Sequence, residues 1–289
     1  MSLRTLARVG RISNLPTVWS NCLAAAVFAC AATGGECLQT TYTPLIVAIA
    51  GSSLLYIAGM FLNDAFDYQW DRQHNHNRPL VNREIAVSTV WSIGVLSMLT
   101  AICLVWWLGN PQATLASLFI AAVIVLYNAT HKQHPSAALL MGLARYGVYL
   151  FTALLMTTAS APVFFIAAVI LPYITGLTLL ARQEHNNRIQ YAFASLLLFA
   201  PVPVTLIFGY THILYWATVA VFQITTVRTL RRYLLTGTPD VRKGIGGLLA
   251  SIPLVDSMVA ASTNSFVAVA ICLVLYIITP VLHKYVAGT

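Results

Sequence analysis

Long apolar runs follow one another along the whole sequence, and they limit the folds that the chain can adopt. Ten runs are present, at about 15–33, 44–62, 87–108, 112–128, 137–157, 161–180, 191–209, 212–228, 245–262 and 266–283. A helix needs about 20 apolar residues to cross a hydrocarbon core, whereas transmembrane strands are shorter and alternate polar with apolar residues. The pattern predicts an all-α polytopic membrane protein in which residues 1–289 form a single helical domain.

The ninth run is the weakest of the ten, because it contains Pro253, Asp256 and several Ser and Gly residues. If this run crosses the membrane, the bundle has ten transmembrane helices and both termini lie on one face. If it is re-entrant, nine helices cross and the carboxyl tail lies on the opposite face. The sequence leaves both topologies open.

The basic residues indicate which face of the membrane each loop occupies. With the amino terminus inside, fifteen of the sixteen Lys and Arg residues fall in or next to the inside segments, 1–14, 63–86, 129–136, 181–190, 229–244 and the carboxyl tail. Such asymmetry is typical of cytoplasmic loops. We predict a multi-pass protein of a prokaryotic inner membrane, with a polar cap of inside loops on the cytoplasmic side. The net charge of +8 then reflects topology and does not indicate a nucleic-acid partner.

Three of the eight acidic residues lie directly after the second run, in Asn63-Asp64-Ala65-Phe66-Asp67-Tyr68-Gln69-Trp70-Asp71. On a helix, offsets of three and seven put Asp64, Asp67 and Asp71 on one face, where their charges repel unless a cation lies between them. Carboxylate and amide oxygens suit Mg²⁺, which usually also binds a phosphate-bearing ligand. An isolated acidic stretch is as typical of a solvated helix end, so a metal–phosphate site with Asn63 and the three aspartates depends on the neighbouring loops.

Three inside loops carry basic residues beside this stretch. Arg78 follows the acidic residues, Lys132 lies in segment 129–136, and Arg182 lies in segment 181–190. The helices before these loops all end at the inside face, and Arg and Lys side chains bind phosphate oxygens. The combination predicts the polar half of a diphosphate site, with the bundle interior as a groove for a lipid tail.

Together these motifs resemble those of the UbiA superfamily of intramembrane prenyltransferases. Asn63-Asp64-x-x-Asp67-x-x-x-Asp71 followed by Arg78-Pro79-Leu80 is similar to the first aspartate-rich motif and the Arg-Pro after it. Tyr127-x-x-x-His131-Lys132 resembles the Tyr-x-x-x-Lys element after the fourth span, with His131 at the usual Lys position. The CDP-alcohol phosphotransferases, which also use membrane carboxylates, need an Asp-Gly pair, and the sequence contains none.

Within the superfamily the chain looks most like the EboC-type branch. The stretches that carry this finer resemblance are Ser13-Asn14-Leu15-Pro16-Thr17-Val18-Trp19-Ser20-Asn21, Ala144-Arg145-Tyr146, Ala181-Arg182-Gln183-Glu184 and Leu254-Val255-Asp256-Ser257. Family members often place polar substrate-binding residues near the first span, which implies this role for Asn14 and Asn21.

The resemblance implies a bundle with a lipid-facing tunnel and a Mg²⁺-dependent reaction. Two Mg²⁺ ions would bridge a polyprenyl diphosphate to two acidic motifs, and the prenyl group would pass within the membrane to a small acceptor. An aromatic, a glycerol phosphate or a sugar-like acceptor would fit equally. The implied catalytic residues are Asp64, Asp67 and Lys132, and the implied substrate-binding residues are Arg78, Tyr127, His131, Lys132 and Arg182.

The second acidic motif departs from the family pattern. The family has two aspartates after the sixth span, whereas Arg182-Gln183-Glu184-His185-Asn186-Asn187 supplies one carboxylate, Glu184, as a metal ligand. This departure motivates an alternative function, in which a non-catalytic UbiA-like protein binds or transports a lipid or hydrophobic metabolite.

Arg145 and Asp256 are ionisable residues inside predicted spans, in a chain that is only 8% charged. Ionisable groups at such depth usually face the bundle interior or a cavity. Two interpretations are equally supported: the two side chains form a structural ion pair, or Arg145 faces the diphosphate or the acceptor.

The five cysteines, Cys22, Cys30, Cys37, Cys103 and Cys272, show no metal-ligand or redox spacing. All except Cys37 lie within apolar runs. We therefore predict small buried apolar side chains rather than disulfides.

Overall fold

The computed structural model describes residues 2–34, 42–74, 78–108, 110–158, 160–182, 193–209 and 211–286. Across these residues the chain is helical and contains no strand. The helices are α1 Leu3–Val9, α2 Leu15–Ala32, α3 Thr43–His74, α4 Val87–Trp107, α5 Pro111–Thr130, α6 Ala137–Met156, α7 Ala161–Ala167, α8 Ile170–Ala181, α9 Ala194–Leu197, α10 Pro201–Gly209, α11 Ile213–Thr229, α12 Val241–Ala250, α13 Ile252–Ser262 and α14 Phe266–His283. The predicted all-α class is confirmed.

Nine helical segments of the described chain are long and apolar enough to cross a membrane. Six of them are single helices or α2 with its preceding turn, and three join neighbouring pieces, as in Ala161–Ala181, Ile213–Leu234 and Val241–Ser262. The remaining apolar segment, Ala194–Gly209, is shorter. The segment that is too short to count as a candidate span therefore corresponds to the predicted seventh run. The ninth run, 245–262, lies within a 22-residue segment that is long enough to cross.

Both ends of the described chain lie on one face of the bundle. His283 Nε2, at the end of α14, is 2.7 Å from Oδ1 of Asn14, at the start of α2. Near the other face, Phe208 of α10 packs edge-on against Phe28 of α2, with 5.1 Å between the ring centroids. The topology with the carboxyl tail on the opposite face is therefore wrong, because α14 returns to the face from which α2 departs.

Helix α13 is the centre of the bundle, and all eleven of its residues are buried. It packs against α2, α11 and α14, whereas α4, on the outside, buries few of its residues. A helix surrounded by protein does not need the uniformly apolar surface that lipid imposes. This location explains why the α13 sequence is the least typical of a membrane span.

The cysteine prediction is wrong at two positions, since Cys30 is disulfide-bonded and the free thiol of Cys103 is exposed. Cys22 and Cys272 are buried free thiols, as predicted.

Candidate active site

The acidic stretch lies on a helix and not in a loop. Helix α3 continues without a break through the motif to His74, and no Gly or Pro occurs between Gly59 and Pro79. Asp64, Asp67 and Asp71 share one face of the helix, and their side chains are 6%, 8% and 5% exposed. Buried carboxylates need compensating charge, so the residues around them define the site.

Each of the three aspartates faces its own cation. Arg11 Nη2 is 3.7 Å from Oδ1 of Asp64, and Arg78 Nε is 3.6 Å from Oδ2 of Asp71. The middle carboxylate, Asp67, has two partners, His131 and Lys132. The acidic face of α3 is therefore covered by basic groups from three other parts of the chain.

The end of α5 supplies both partners of Asp67. Lys132 Nζ is 3.1 Å from its Oδ2, and His131 Nε2 is 3.4 Å from its Oδ1. The His131 ring is stacked on Tyr127, with 4.9 Å between the centroids, and this stacking holds the imidazole toward α3. The predicted Tyr-x-x-x-His-Lys element is thus brought against the acidic motif.

Asn63 links three elements at the same level. Its Oδ1 accepts a 3.5 Å hydrogen bond from Arg11 Nη2, and its Nδ2 donates to Oδ1 of Asn128 over 3.1 Å. Asn128 in turn donates to the Gly59 carbonyl over 3.3 Å. These bonds fix the start of the acidic motif to α5 and to the turn before α2.

A cavity of about 270 Å³ opens beside these groups, lined by residues of seven helices and of the segments next to α2 and α3. Its polar lining comprises Arg11, Asn14, Ser52, Tyr56, Arg78, Tyr127, Asn128, Arg145 and Thr178. The rest is mainly aliphatic, including Leu55, Ile120 and Leu177. The aspartates stand behind Arg11 and Arg78, which are themselves part of the wall.

The donor chemistry of this region fits Mg²⁺, although the described residues contain no group of three or more His, Cys, Asp or Glu side chains that could hold a metal ion. Mg²⁺ typically takes one or two carboxylates, keeps waters and completes its shell with substrate phosphates. Asp64, Asp67 and Asp71 supply hard oxygen ligands of this kind. Glu184, the predicted ligand of a second ion, lies outside the described residues.

Four predicted substrate-binding residues lie away from the acidic face. Asn14 lines the cavity, donates to Tyr56 Oη over 3.1 Å and meets His283. Arg182 donates to the main-chain oxygens of His131 and His134, so it braces that loop. Asn21 and Arg145 belong to a deeper polar cluster.

Asn21 is fully buried and does not line the cavity. Its Nδ2 donates to both oxygens of Asp256 over 2.9 Å, and its Oδ1 accepts from Arg145 over 2.7 Å. Asn21 therefore contacts the cavity only through Arg145, which it links to Asp256. The predicted direct ion pair between Arg145 and Asp256, both of which the structure describes, does not form, because the Asn21 side chain lies between the two groups.

The sequence analysis missed Arg11, Tyr56 and Asn128 as parts of this site. The sequence places Arg11 only within the basic inside segment 1–14, whereas its backbone is left-handed, with φ of 42° in the turn before α2. Such a conformation is uncommon for a non-glycine residue and is found at functional sites. Asn128 could have been found from its position next to Tyr127 in the second motif.

Comparison with known proteins agrees with this architecture. A profile of the UbiA prenyltransferase family matches residues 18–230. The chain belongs to the UbiA prenyltransferase family. The comparison with curated proteins finds no significant match.

Solved structures show the same fold at low sequence identity. A digeranylgeranylglyceryl phosphate synthase is 17% identical with a TM-score of 0.64, and the match covers 93% of this chain and 99% of that one. A UbiA homologue from Archaeoglobus fulgidus bound to GPP and Mg²⁺ is 13% identical with a TM-score of 0.63, covering 92% and 99%. The same homologue bound to DMAPP and Mg²⁺ gives 14% and 0.60, covering 93% and 98%.

Proposed function

We propose that this chain transfers a prenyl group from a polyprenyl diphosphate to an acceptor bound in the cavity, as a transferase of alkyl or aryl groups other than methyl. The observation that carries the proposal is the buried aspartate face of α3, flanked by Arg11, Arg78 and Lys132 at an apolar cavity. Structural relatives described as bound to GPP or DMAPP with Mg²⁺ support the same chemistry.

In this reaction the bond between C1 of the prenyl group and the diphosphate oxygen breaks, and its electron pair leaves with the diphosphate. C1 then bonds to a nucleophilic atom of the acceptor, which loses a proton. Mg²⁺ held by Asp64, Asp67 and Asp71 would supply charge stabilisation for the leaving group. Lys132 and Arg78 add positive charge next to it, which favours departure of the anion.

The apolar part of the cavity complements these groups. Aliphatic side chains such as Leu55, Ile120 and Leu177 exclude water from the reacting carbon. Tyr127 lies on the wall beside the basic residues, where its ring face stabilises positive charge that develops on C1. The EboC-type branch and an inner-membrane location with a cytoplasmic site are further parts of the proposal.

A second candidate function is binding or transport of a lipid or hydrophobic metabolite without transfer. The pairing of each aspartate with a cation favours it, because the site is charge-compensated without a metal. Release of diphosphate distinguishes the two functions. Purified protein given radiolabelled geranylgeranyl diphosphate and Mg²⁺ should release diphosphate if it is a transferase, and release that is absent with every acceptor tested would favour the carrier.

A further inference from the structure

Arg145 places a positive charge in the middle of the bundle, and part of its side chain lines the cavity. Its side chain is 9% exposed and lines the cavity wall. In the described part of the chain no carboxylate lies within ion-pair distance of its guanidinium, and the buried acid closest in the network, Asp256, is separated from it by Asn21. An ionised side chain at this depth is costly unless a partner compensates it.

The guanidinium is held rigidly along one edge. Nη1 donates to the Thr17 carbonyl over 3.1 Å and to Asn21 Oδ1 over 2.7 Å, and Nη2 donates to Thr17 Oγ1 over 3.0 Å. An arginine has five N–H donors. Nε–H and one N–H of Nη2 therefore have no acceptor among the described residues, and they are oriented by the bonds that the other three make.

Asp256 holds the Asn21 side chain in the orientation that accepts from Arg145. It is fully buried and accepts hydrogen bonds from Ser20 over 2.5 Å, from Asn21 and from Tyr149. Because the Asp256 carboxylate accepts and the Arg145 guanidinium can only donate, Asn21 presents Nδ2 to Asp256 and Oδ1 to Arg145. Asn21 and Asp256 are thus positioning residues for the cation.

The surroundings of Arg145 in the cavity form a polar recess, which adjoins aliphatic side chains such as Leu55 and Val148. The centroid of the Tyr56 ring is 5.7 Å from Arg145 Cζ. Ser52, one helical turn before Tyr56 in α3, also lines the cavity. Tyr56 precedes Asp64 by eight residues, which is about 12 Å along a helix axis. The recess therefore lies deeper in the bundle than the aspartate face, and the Tyr56 hydroxyl reaches toward that face by donating to the Arg11 carbonyl over 3.4 Å.

We infer that this recess, which we name the Arg145 recess and define by Arg145, Tyr56 and Ser52, binds the anionic group of the acceptor, a carboxylate or a phosphate. A wall that contacted only a hydrocarbon tail would leave these two buried donors without an acceptor. An anion in the recess satisfies both donors, and the planar guanidinium favours two parallel bonds to such a group. The nucleophilic atom then lies at the opposite end of the acceptor, toward the aspartate face.

This inference rests on the proposed function, because an acceptor exists only if the protein transfers a prenyl group. Binding of an anionic acceptor can nevertheless be measured without prenyl transfer. The probes are 4-hydroxybenzoate, its neutral isostere 4-hydroxybenzamide, and a glycerol phosphate bearing one O-alkyl chain. Each is titrated by calorimetry into purified protein, with and without Mg²⁺ and a prenyl thiodiphosphate. The carboxylate and the phosphate arms identify which anion the recess accepts.

In the wild-type protein we expect one of the two anions to bind at least about tenfold more tightly than 4-hydroxybenzamide. Arg145→Gln should weaken that anion by about tenfold or more and change the affinity for the thiodiphosphate by less than about threefold, because the two sites are distant. Arg145→Lys should restore part of the loss. Binding of the thiodiphosphate also shows that each variant is folded.

Three outcomes would overturn the inference: equal affinity for the anion and the amide, no binding of either anion to wild-type protein, or an unchanged anion affinity in folded Arg145→Gln. The comparison of anion with amide uses wild-type protein alone, so it stays decisive if the variant fails to fold. Failure of the proposed function would instead appear as loss of Mg²⁺-dependent thiodiphosphate binding, whatever the acceptor probes do.

Discussion

Lys132 Nζ lies 3.1 Å from Oδ2 of Asp67, which joins the end of α5 to the centre of the acidic motif on α3. The same ammonium group lies 4.0 Å from the centre of the Trp70 ring. These two contacts hold the cation against the acidic face of α3 and restrict the conformations that its flexible side chain can adopt. The position of this charge is therefore set by the fold before any substrate arrives.

Removal of the Lys132 charge should reduce turnover. We expect Lys132→Gln to lower kcat for prenyl transfer by about 100-fold, because a positive group beside the departing diphosphate is lost. Lys243→Gln is the matched control, since Lys243 is an exposed lysine with 70% of its side chain accessible. Steady-state kinetics of diphosphate release measures both. Similar rates for the two variants would contradict a role for Lys132 at the leaving group.

Loss of the central carboxylate should abolish the response to magnesium. In Asp67→Asn we expect activity to fall by about 100-fold or more, because one oxygen ligand is neutralised and His131 and Lys132 lose their anionic partner. Asp240→Asn is the control, because Asp240 caps α12 and Asn caps a helix equally well. The measurement is initial rate against Mg²⁺ concentration, and an unchanged magnesium dependence would exclude Asp67 as a ligand.

Asp256 should matter to stability as well as to the position of Arg145. Asp256→Asn replaces an acceptor of hydrogen bonds from Ser20, Asn21 and Tyr149 by a group that must donate toward other donors. We expect a loss of about 3 kcal/mol in the free energy of unfolding. Tyr149→Phe removes one donor only and should cost about 1 kcal/mol. Thermal unfolding in detergent compares the two, and equal Tm values for Asp256→Asn and wild type would contradict the expectation.

Gly142 permits the close contact between α6 and α8. A Cβ atom there would lie 2.7 Å from the Leu171 carbonyl oxygen and 2.5 Å from Thr175 Oγ1, whereas one at Gly246 would meet nothing within 4 Å. We expect Gly142→Ala to lower stability by about 1–3 kcal/mol. Gly246→Ala should be neutral or stabilising by up to about 1 kcal/mol, because alanine favours the helix. Thermal unfolding of the pair tests this contact, and the reverse order of stability would contradict it.

The sequence predicts the helical class and the aspartate face well, because both depend on local patterns. Apolar run length determines that a helix spans, and the three-and-seven spacing determines that Asp64, Asp67 and Asp71 share a face. The predicted partners Arg78, His131 and Lys132 are also found beside these acids. Their motifs follow helices that end at the same membrane face, so topology alone brings them together.

The sequence does not predict relationships that depend on how helices rotate about their axes. Asn21 and Arg145 are separated by 124 residues, and nothing local shows that their side chains meet. The same holds for Arg11, whose backbone turn and whose contact with Asp64 arise only when α2 packs beside α3. The burial of α13 also escapes local patterns, since a protein-facing helix and a weak span have the same composition.

The central position of α13 bears on how the protein enters the membrane. An acid at the middle of an isolated helix costs about 2.5–3.5 kcal/mol to insert into lipid. Ser20 precedes Asp256 by 236 residues, so α2 is synthesised long before α13. We therefore expect α13 to leave the translocon next to α2, which offers Asp256 hydrogen-bond donors, rather than to enter lipid alone.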